Sequence, residues 1–521
     1  MRFFIRRLLP LTLILILLTT NALATNVGDS LIVGIQSTKT TLIQPLDPVE
    51  RDMMSIYDLV YESLVVIDDD YLPQAGLCES WEESGNGKTW TFKLRKNITF
   101  SDGTPMTAHD VVATAQYILD RANEENSQNP GYYFNLKYFI KSISASGDDT
   151  VVVKTAAGRN YWGVLYAMTF PVLPKDRVST PNPPGTGPYM ISTFEAGDYM
   201  WLQTNPNWWQ TRPQVEEIMV IMHDSPNAVI ESYEYARVDT IFTRSIAAAQ
   251  HKSGTTSLAL DYRTNQLETL LINHRSVPLD SLNVRKAIRY LVDPDKIAKQ
   301  VYMGMVERTD TPMIPGTWMY NDTLSQHFVT DVEAARALLE ADGWEDSDED
   351  GILDKLDANG KKMNLHLRIY VYEEPDNNVR VETANLIADM LGQVGISTKI
   401  EIMTFTDIQS KLKAASFDLA LASFAMDACP DPGYLLMKGN TGNYGLYNSN
   451  DMTSLCKDLR TQTTQSGFQN SLMNIQSRFA EDIPFICLFY RSGSVLTRQM
   501  YTTARDVREL ELLRGIETFH P

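Results

Sequence analysis

Residues Thr89 to Val112 leave few choices of local fold. Thr89, Thr91 and Lys93 alternate with Trp90, Phe92 and Leu94, which predicts a strand with one buried face. A polar hairpin at 84–88 precedes it. A second strand is expected over Ile98–Phe100, and Ser101-Asp102-Gly103-Thr104-Pro105 then makes a tight turn. Thr107 is placed to cap a helix carrying Asp110 at its third position, and that helix should run to about Asn123. Upstream, Tyr61, Leu64 and Val65 mark an apolar helix end before the acidic turn Asp68-Asp69-Asp70. Strand, turn and capped helix agree, so this region is a structural seed. It holds no nucleophile–base pair.

The chain has 521 residues, too many for one hydrophobic core, so two or more domains are expected. Its first 24 residues read as an export signal. Arg2, Arg6 and Arg7 precede the apolar run Leu8–Leu18, and Ala22-Leu23-Ala24 supplies small residues before a cut at Thr25. The apolar run is shorter than the roughly 20 residues of a spanning helix. The first cysteine is Cys78, so no lipid-anchoring cysteine follows the cut, and a soluble periplasmic protein is expected. Losing those three arginines takes the formal charge from −19 to −22. Such acidity excludes nucleic acid as a partner, because phosphates require a basic surface.

Cys78, Cys429, Cys456 and Cys487 would meet an oxidising compartment, where four thiols allow three pairings. Cys429 and Cys456 are candidates for pairing, and buried free thiols are the alternative. The segment 181–188 (Pro-Asn-Pro-Pro-Gly-Thr-Gly-Pro) is the most linker-like in the chain. A helix starts near Val284, capped by Asn283 or Ser281, and Arg285 and Arg289 one turn apart predict a solvated face. A helix over 331–343, a strand over Leu365–Tyr372, a helix over Val379–Val394 and a strand over Lys399–Met403 follow. A helix over Phe405–Ala414 and a strand over Phe417–Ala422 continue an alternation that predicts parallel pairing.

Several short motifs converge on one resemblance. Tyr61-Glu62-Ser63-Leu64, Glu79-Ser80-Trp81, Thr89-Trp90-Thr91-Phe92, Ser101-Asp102-Gly103-Thr104-Pro105 with Thr107-Ala108 and Asp110-Val111 occur in this order. Gly185-Thr186-Gly187-Pro188-Tyr189 and Asn205-Pro206-Asn207-Trp208-Trp209 follow. The chain resembles the extracytoplasmic solute-binding proteins of the peptide/nickel class, the oligopeptide- and dipeptide-binding receptors of ABC importers. Ser101 and Cys78 stand where many members have His and Ala. The resemblance implies an α/β, two-lobed periplasmic-binding-protein-like fold with mixed sheets, a discontinuous first lobe and an extra inserted subdomain. Lobe I would comprise 28–66, 186–275 and 490–521, the inserted subdomain 67–185, and lobe II 276–489, with hinge crossings near 275 and 490.

It also implies a receptor, not an enzyme. It would close by hinge motion over a peptide or peptide-like solute and deliver it, as a monomer, to an ABC import permease. A nickel chelate, haem or a sugar is the alternative cargo, and a secreted chain-binding scaffold or chaperone the alternative class. In peptide-binding relatives an Asp at the place of Asp427 receives the peptide ammonium; here Asp431-Pro432 follows one residue later than usual. Met54, Tyr444, Tyr447 and Tyr490 map near the ligand. Dipeptide-type relatives hold the ligand carboxylate with an Arg where this chain has Glu373-Glu374, and two acids repel a carboxylate. A longer peptide or a cationic solute is therefore expected.

The residues alone bear on two further chemistries, a metal site and catalysis. Asp346, Asp348, Asp350 and Asp354 occupy positions 1, 3, 5 and 9 of a calcium loop, with Gly351 at 6 and the Ile352 carbonyl at 7. Asp357 stands at position 12, where the usual ligand is a bidentate Glu. A structural calcium is one reading and an acidic Asp-Gly turn the other; no cofactor is required. Catalysis finds no support: there is no Gly-x-Ser-x-Gly, His-Glu-x-x-His or phosphate-binding glycine loop, and the seven histidines are scattered.

Overall fold

Two long strands, Leu258–Ile272 and Phe485–Thr497, run antiparallel side by side and organise the molecule. The computed structural model describes residues 30–47, 50–124, 131–159, 161–251, 258–357, 359–374, 378–498 and 507–516; the expected export signal, 1–24, lies outside them. The pairing of the two strands shifts register between Arg263 and Leu267. On one side of that irregularity, Phe485–Thr497 pairs with Thr240–Thr243. The order continues through Ser30–Gln36, Glu217–His223, Tyr199–Thr204 and Tyr189–Glu195. On the other side, Leu258–Ile272 pairs with Leu419–Ala425, followed by His366–Tyr372 and Ser397–Met403. One mixed sheet therefore runs through both lobes. The first crossing lies at 263–267, earlier than the expected 275, because Gln266–Ile272 already pairs with a lobe II strand.

Lobe II follows the predicted alternation. His366–Tyr372 lies parallel to both Ser397–Met403 and Leu419–Ala425, with the helices Val379–Gly392 and Phe405–Lys413 as crossovers. Leu367, Ile369, Val371 and Leu419 are fully buried, as expected of parallel strands covered on both faces.

The inserted subdomain is a four-stranded antiparallel sheet ordered Cys78–Ser84, Thr89–Leu94, Thr150–Thr155, Ile140–Ala145. Trp90, Phe92 and Leu94 face its core. Helix Ala108–Asn123 starts in the expected capping box: the Thr107 N–H and hydroxyl donate to Asp110 Oδ2 at 2.8 and 2.7 Å. Ile98–Phe100 does not form the predicted strand. Its backbone makes only the Thr99–Pro105 bridge, because the Phe100 N–H closes the turn onto the Thr104 carbonyl at 2.8 Å.

The linker-like run is packed hard against its neighbours. The Gly187 N–H donates to the Val60 carbonyl at 3.0 Å, and a Cβ at Gly185 would lie 1.9 Å from that oxygen. Only glycine permits such an approach. Asn205 Nδ2 donates to the Gly187 carbonyl at 2.8 Å and Asn207 Nδ2 to the Ser101 carbonyl at 3.1 Å. Trp209 Nε1 donates to Glu62 Oε2 at 2.9 Å. The separate sequence motifs thus meet in one clasp where the inserted subdomain leaves lobe I.

Packing corrects one further expectation and decides between the two alternatives left open for the cysteines. Arg285 and Arg289 are 8 % and 3 % exposed, not solvated. Arg285 donates to the carbonyls of Leu279, Asp280 and Asp482, and Arg289 to those of Val292 and Phe328 and to Asp310. These carbonyls satisfy most of the buried guanidinium donors, although Arg285 Nε is buried without a partner. All four cysteines are buried free thiols, so Cys429 and Cys456 are not paired.

Candidate ligand site between the lobes

Parallel strands present their carboxyl ends as a natural ligand crevice. In lobe I, Ser30–Gln36 and Thr240–Thr243 run parallel and lead into Ser37 and Arg244. In lobe II, His366–Tyr372 and Leu419–Ala425 lead into Glu373 and Met426. Asp427 comes next. Asn135 of the inserted subdomain donates to Asp427 Oδ2 at 2.9 Å, and the Cys429 N–H reaches Oδ1 at 3.4 Å. The carboxylate keeps solvent access, yet the walls around it raise its pKa; those two donors only partly offset the desolvation. Among the described residues it has no ion-pair partner.

A second carboxylate was not anticipated. Asp58 also keeps solvent access, and its pKa is pushed well up, first by desolvation and then by Glu511. Tyr132 and Tyr133 connect the two acids. Their rings meet edge to face at 4.9 Å; the Tyr132 hydroxyl feels Asp427, and the Tyr133 hydroxyl feels Asp58. No local pattern marks Asp58, which sits in the turn after a short helix. Only the fold brings it near Tyr133.

The other candidates fall in different places. Met54 is half-buried on the helix Arg51–Tyr57, beside Arg51 and Asp52. Tyr490 is 1 % exposed and pairs with Leu267 at the crossing, so it packs beneath the cleft and is not on its surface. Tyr444 and Tyr447 line a separate cavity of about 1120 Å³ with His274, Arg275 and Asp482. His274 follows Ile272, which pairs with Leu419 at the opposite end of its strand from Asp427. The Tyr444 ring stacks on Phe424 at 6.2 Å, and the buried Tyr447 donates its hydroxyl to Asp482. Tyr447 is therefore corrected from the cleft to the body of lobe II, whereas Tyr444 reaches from that cavity to Phe424, three residues before Asp427.

Glu374 is not a free repelling charge. Arg380 Nε donates to it at 2.8 Å and Arg491 Nη2 at 2.9 Å, and the same arginines reach Glu268 at 2.8 and 2.6 Å. Burial pushes the Glu374 carboxyl up, but the two guanidiniums outweigh it and hold it below the usual range. Glu374 is therefore neutralised by arginine and does not repel a ligand carboxylate. Glu268 stands 112 residues from Arg380 in the chain, so no local spacing announces the pair.

The acidic loop gathers three of its carboxylates: ligand atoms of Asp346, Asp348 and Asp354 lie within 4.8 Å of one another. Lys362 already supplies a cation there, pairing with Asp348 and reaching Asp354 at 3.1 Å. Asp346 accepts the N–H groups of Asp350 and Gly351, Asp350 that of Ile352, and Asp357 those of Asn359 and Lys361. The donor set is turned onto its own loop and one lysine, a poor fit to a resident divalent ion.

With this geometry in view, comparison with known proteins gives a consistent result. Residues 73–445 match the model of bacterial extracellular solute-binding proteins, family 5 middle. The chain belongs to that family. Its relatives include the oligopeptide-binding protein AppA of Bacillus subtilis strain 168, 24 % identical over 518 residues, covering 93 % of this chain and 91 % of that one. Among solved structures, B. subtilis AppA in complex with a nonapeptide aligns with a TM-score of 0.68 at 21 % identity, over 94 % of this chain and 98 % of that one. NikA of Brucella suis in complex with Fe(III)-EDTA aligns at 0.76 and 20 %, over 94 % and 99 %. These structural likenesses establish the α/β solute-binding fold that the motifs implied.

Proposed function

We propose that this protein is the substrate-binding receptor of an ABC importer, capturing a peptide or peptide-like solute in the interlobe cleft by hinge closure. The Asp427 carboxylate supports this reading. It sits at the carboxyl end of a lobe II strand, faces solvent, accepts a hydrogen bond from the inserted subdomain and has no cation within ion-pair distance among the described residues. A walled-in carboxylate of this kind is stabilised by a ligand ammonium on closure. The two crossing strands, with their register shift at 263–267, are the natural place for lobe rotation. Relatives named for peptides favour a peptide over the metal chelate of the NikA complex. Export by residues 1–24, a periplasmic location, action as a monomer and docking of the closed form on a permease belong to the same reading.

Native mass spectrometry of freshly purified protein tests it, because a closed receptor retains its cargo. A co-purifying peptide of defined mass, released on denaturation and rebound one to one, is the expected result. A retained metal chelate, haem or sugar, or consumption of a bound substrate, would overturn the peptide reading.

A further inference from the structure

The described residues near the carboxyl terminus return to the wall of the cleft. The Glu509 side chain is 6 % exposed; it accepts from Arg244 Nη2 at 2.8 Å and lies 3.6 Å from Arg51 Nη1. Arg244 Nη1 also donates to Asp52 at 2.8 Å. Arg244 directly follows the strand Thr240–Thr243, and Arg51 and Asp52 open the helix that carries Met54. All three therefore stand at the lobe I edge where the parallel strands end. The Tyr132 hydroxyl lies within electrostatic range of Arg51, Glu509 and Asp427.

The segment is held firmly. Arg508 donates to the carbonyls of Ile67 and Asp68 at 2.5 and 2.6 Å and lies over the Tyr71 ring at 5.7 Å. Arg514 pairs with Asp69, and Leu512, Leu513 and Ile516 are 1–2 % exposed. A buried carboxylate anchored this way is a fixed charge of the wall.

The charge count then decides what the cleft can take. The lobe I cations Arg51 and Arg244 face two carboxylates, Asp52 and Glu509, so that wall is neutral. Arg380 and Arg491 are likewise matched by Glu268 and Glu374. Asp427 has no ion-pair partner among the described residues; Asp58 makes no ion pair either, but lies in the field of Arg508 and Arg514 as well as Glu511. An incoming anion meets guanidiniums that are already occupied, whereas a cation meets the unmatched Asp427.

We propose that Glu509 is a specificity-determining residue: a built-in carboxylate that fills the anion subsite formed by Arg51 and Arg244 and leaves the cleft selective for cationic ligand groups. The selectivity rests on the receptor reading; the occupied subsite does not.

Two measurements separate these. First, Glu509→Gln leaves two guanidiniums with one carboxylate, so sodium acetate should raise its melting temperature by roughly 3 °C over sodium chloride at equal ionic strength. The native protein should show no such difference. Acetate no better than chloride for the variant would overturn the proposal. If Glu509→Gln does not fold, Glu509→Ala, which also removes the carboxylate and leaves room for acetate, is refolded in acetate and in chloride; equal recovery in the two salts would overturn the proposal. Second, tetraalanine and its carboxy-terminal amide are titrated by calorimetry. The native protein should bind the amide at least as well as the acid, and Glu509→Gln should favour the acid by about tenfold. A tenfold preference of the native protein for the acid would overturn the proposal. If neither peptide binds native protein, the peptide reading fails while the acetate result still decides the role of Glu509.

Discussion

The charged ring beside the first crossing gives a stability prediction that can be worked through. Glu268 has a side chain 4 % exposed and Arg380 one 2 % exposed; Glu374 and Arg491 are 14 % and 20 % exposed. Each carboxylate touches both guanidiniums at 2.6–2.9 Å, so the ring closes without net charge. Arg380 Nη1 is already buried without a hydrogen-bond partner, so the ring has no spare acceptor. Glu268→Gln keeps the shape but leaves two guanidiniums on one carboxylate. Removing one partner of a buried pair costs about 3–5 kcal/mol. Arg491 can relax towards water, so about 3 kcal/mol is expected. Urea unfolding at neutral pH, followed by circular dichroism and tryptophan fluorescence, measures it; coincident transitions are required because the two lobes need not unfold together. The double substitution Glu268→Leu with Arg380→Met removes the buried pair whole and should be less destabilised than Glu268→Gln. A Glu268→Gln protein within about 1 kcal/mol of the native one would refute the reasoning, because an intact buried ring cannot lose a charge so lightly.

Asp427→Asn should lower affinity for the retained cargo at least about tenfold, read by calorimetry, and leave melting of the empty protein unchanged; unaltered affinity would remove Asp427 from the site. Burial raises the Glu62 carboxyl to about 7, against the indole donors of Trp209 and Trp208, so folding is disfavoured as pH rises from its ordinary 4.5 through 7. Glu62→Gln should abolish that fall, of order 2 kcal/mol, in urea midpoints compared at pH 5 and 8; parallel profiles would refute it. For Glu374 and Asp431, burial opposes ionisation but the facing arginines outweigh it, and both pKa values are depressed. Their stabilisation is present above the ordinary carboxyl range and lost as pH falls below about 4, so acid unfolding should steepen there; a flat stability from pH 5 to 3 would refute this. Because Lys362 already neutralises Asp348 and Asp354, calcium should shift the melting temperature by less than about 1 °C in the native protein and by more in Lys362→Ala; a large shift in the native protein would show that the ion displaces the lysine.

Much of the fold was legible because the signals were local. The alternation in Thr89–Leu94 and the Thr107–Asp110 box each lie within one element, and the structure realises both. The parallel alternation of lobe II is equally local, since each crossover helix separates the strands it joins. Failure came where a side chain is governed by something distant. Arg285 and Arg289 read as a solvated pair until the carbonyls of Asp482 and Phe328 close over them. Glu374 read as a repelling acid until Arg491, 117 residues on, neutralises it. The resemblance puts Tyr447 near the ligand, but the end of the strand at Ile272 decides which cavity it lines.

The same contrast separates family from cargo. The motifs that identify the family meet at Glu62, Gly185, Gly187, Asn207 and Trp209, where backbones approach too closely for any side chain or where an indole must find one carboxylate. Such contacts tolerate few residue types, so they survive as readable words in the chain. The cleft is assembled otherwise: Asp58 from a turn, Tyr132 and Asn135 from the inserted subdomain, Asp427 from lobe II and Glu509 from near the carboxyl terminus. Each contributes one charge, one ring or one amide, and none constrains its immediate neighbours in sequence. A receptor built this way can exchange its cargo by altering single residues on separate elements while the clasp that holds the inserted subdomain stays intact. Substituting Glu509 should therefore change what the cleft selects without disturbing the joint around Glu62.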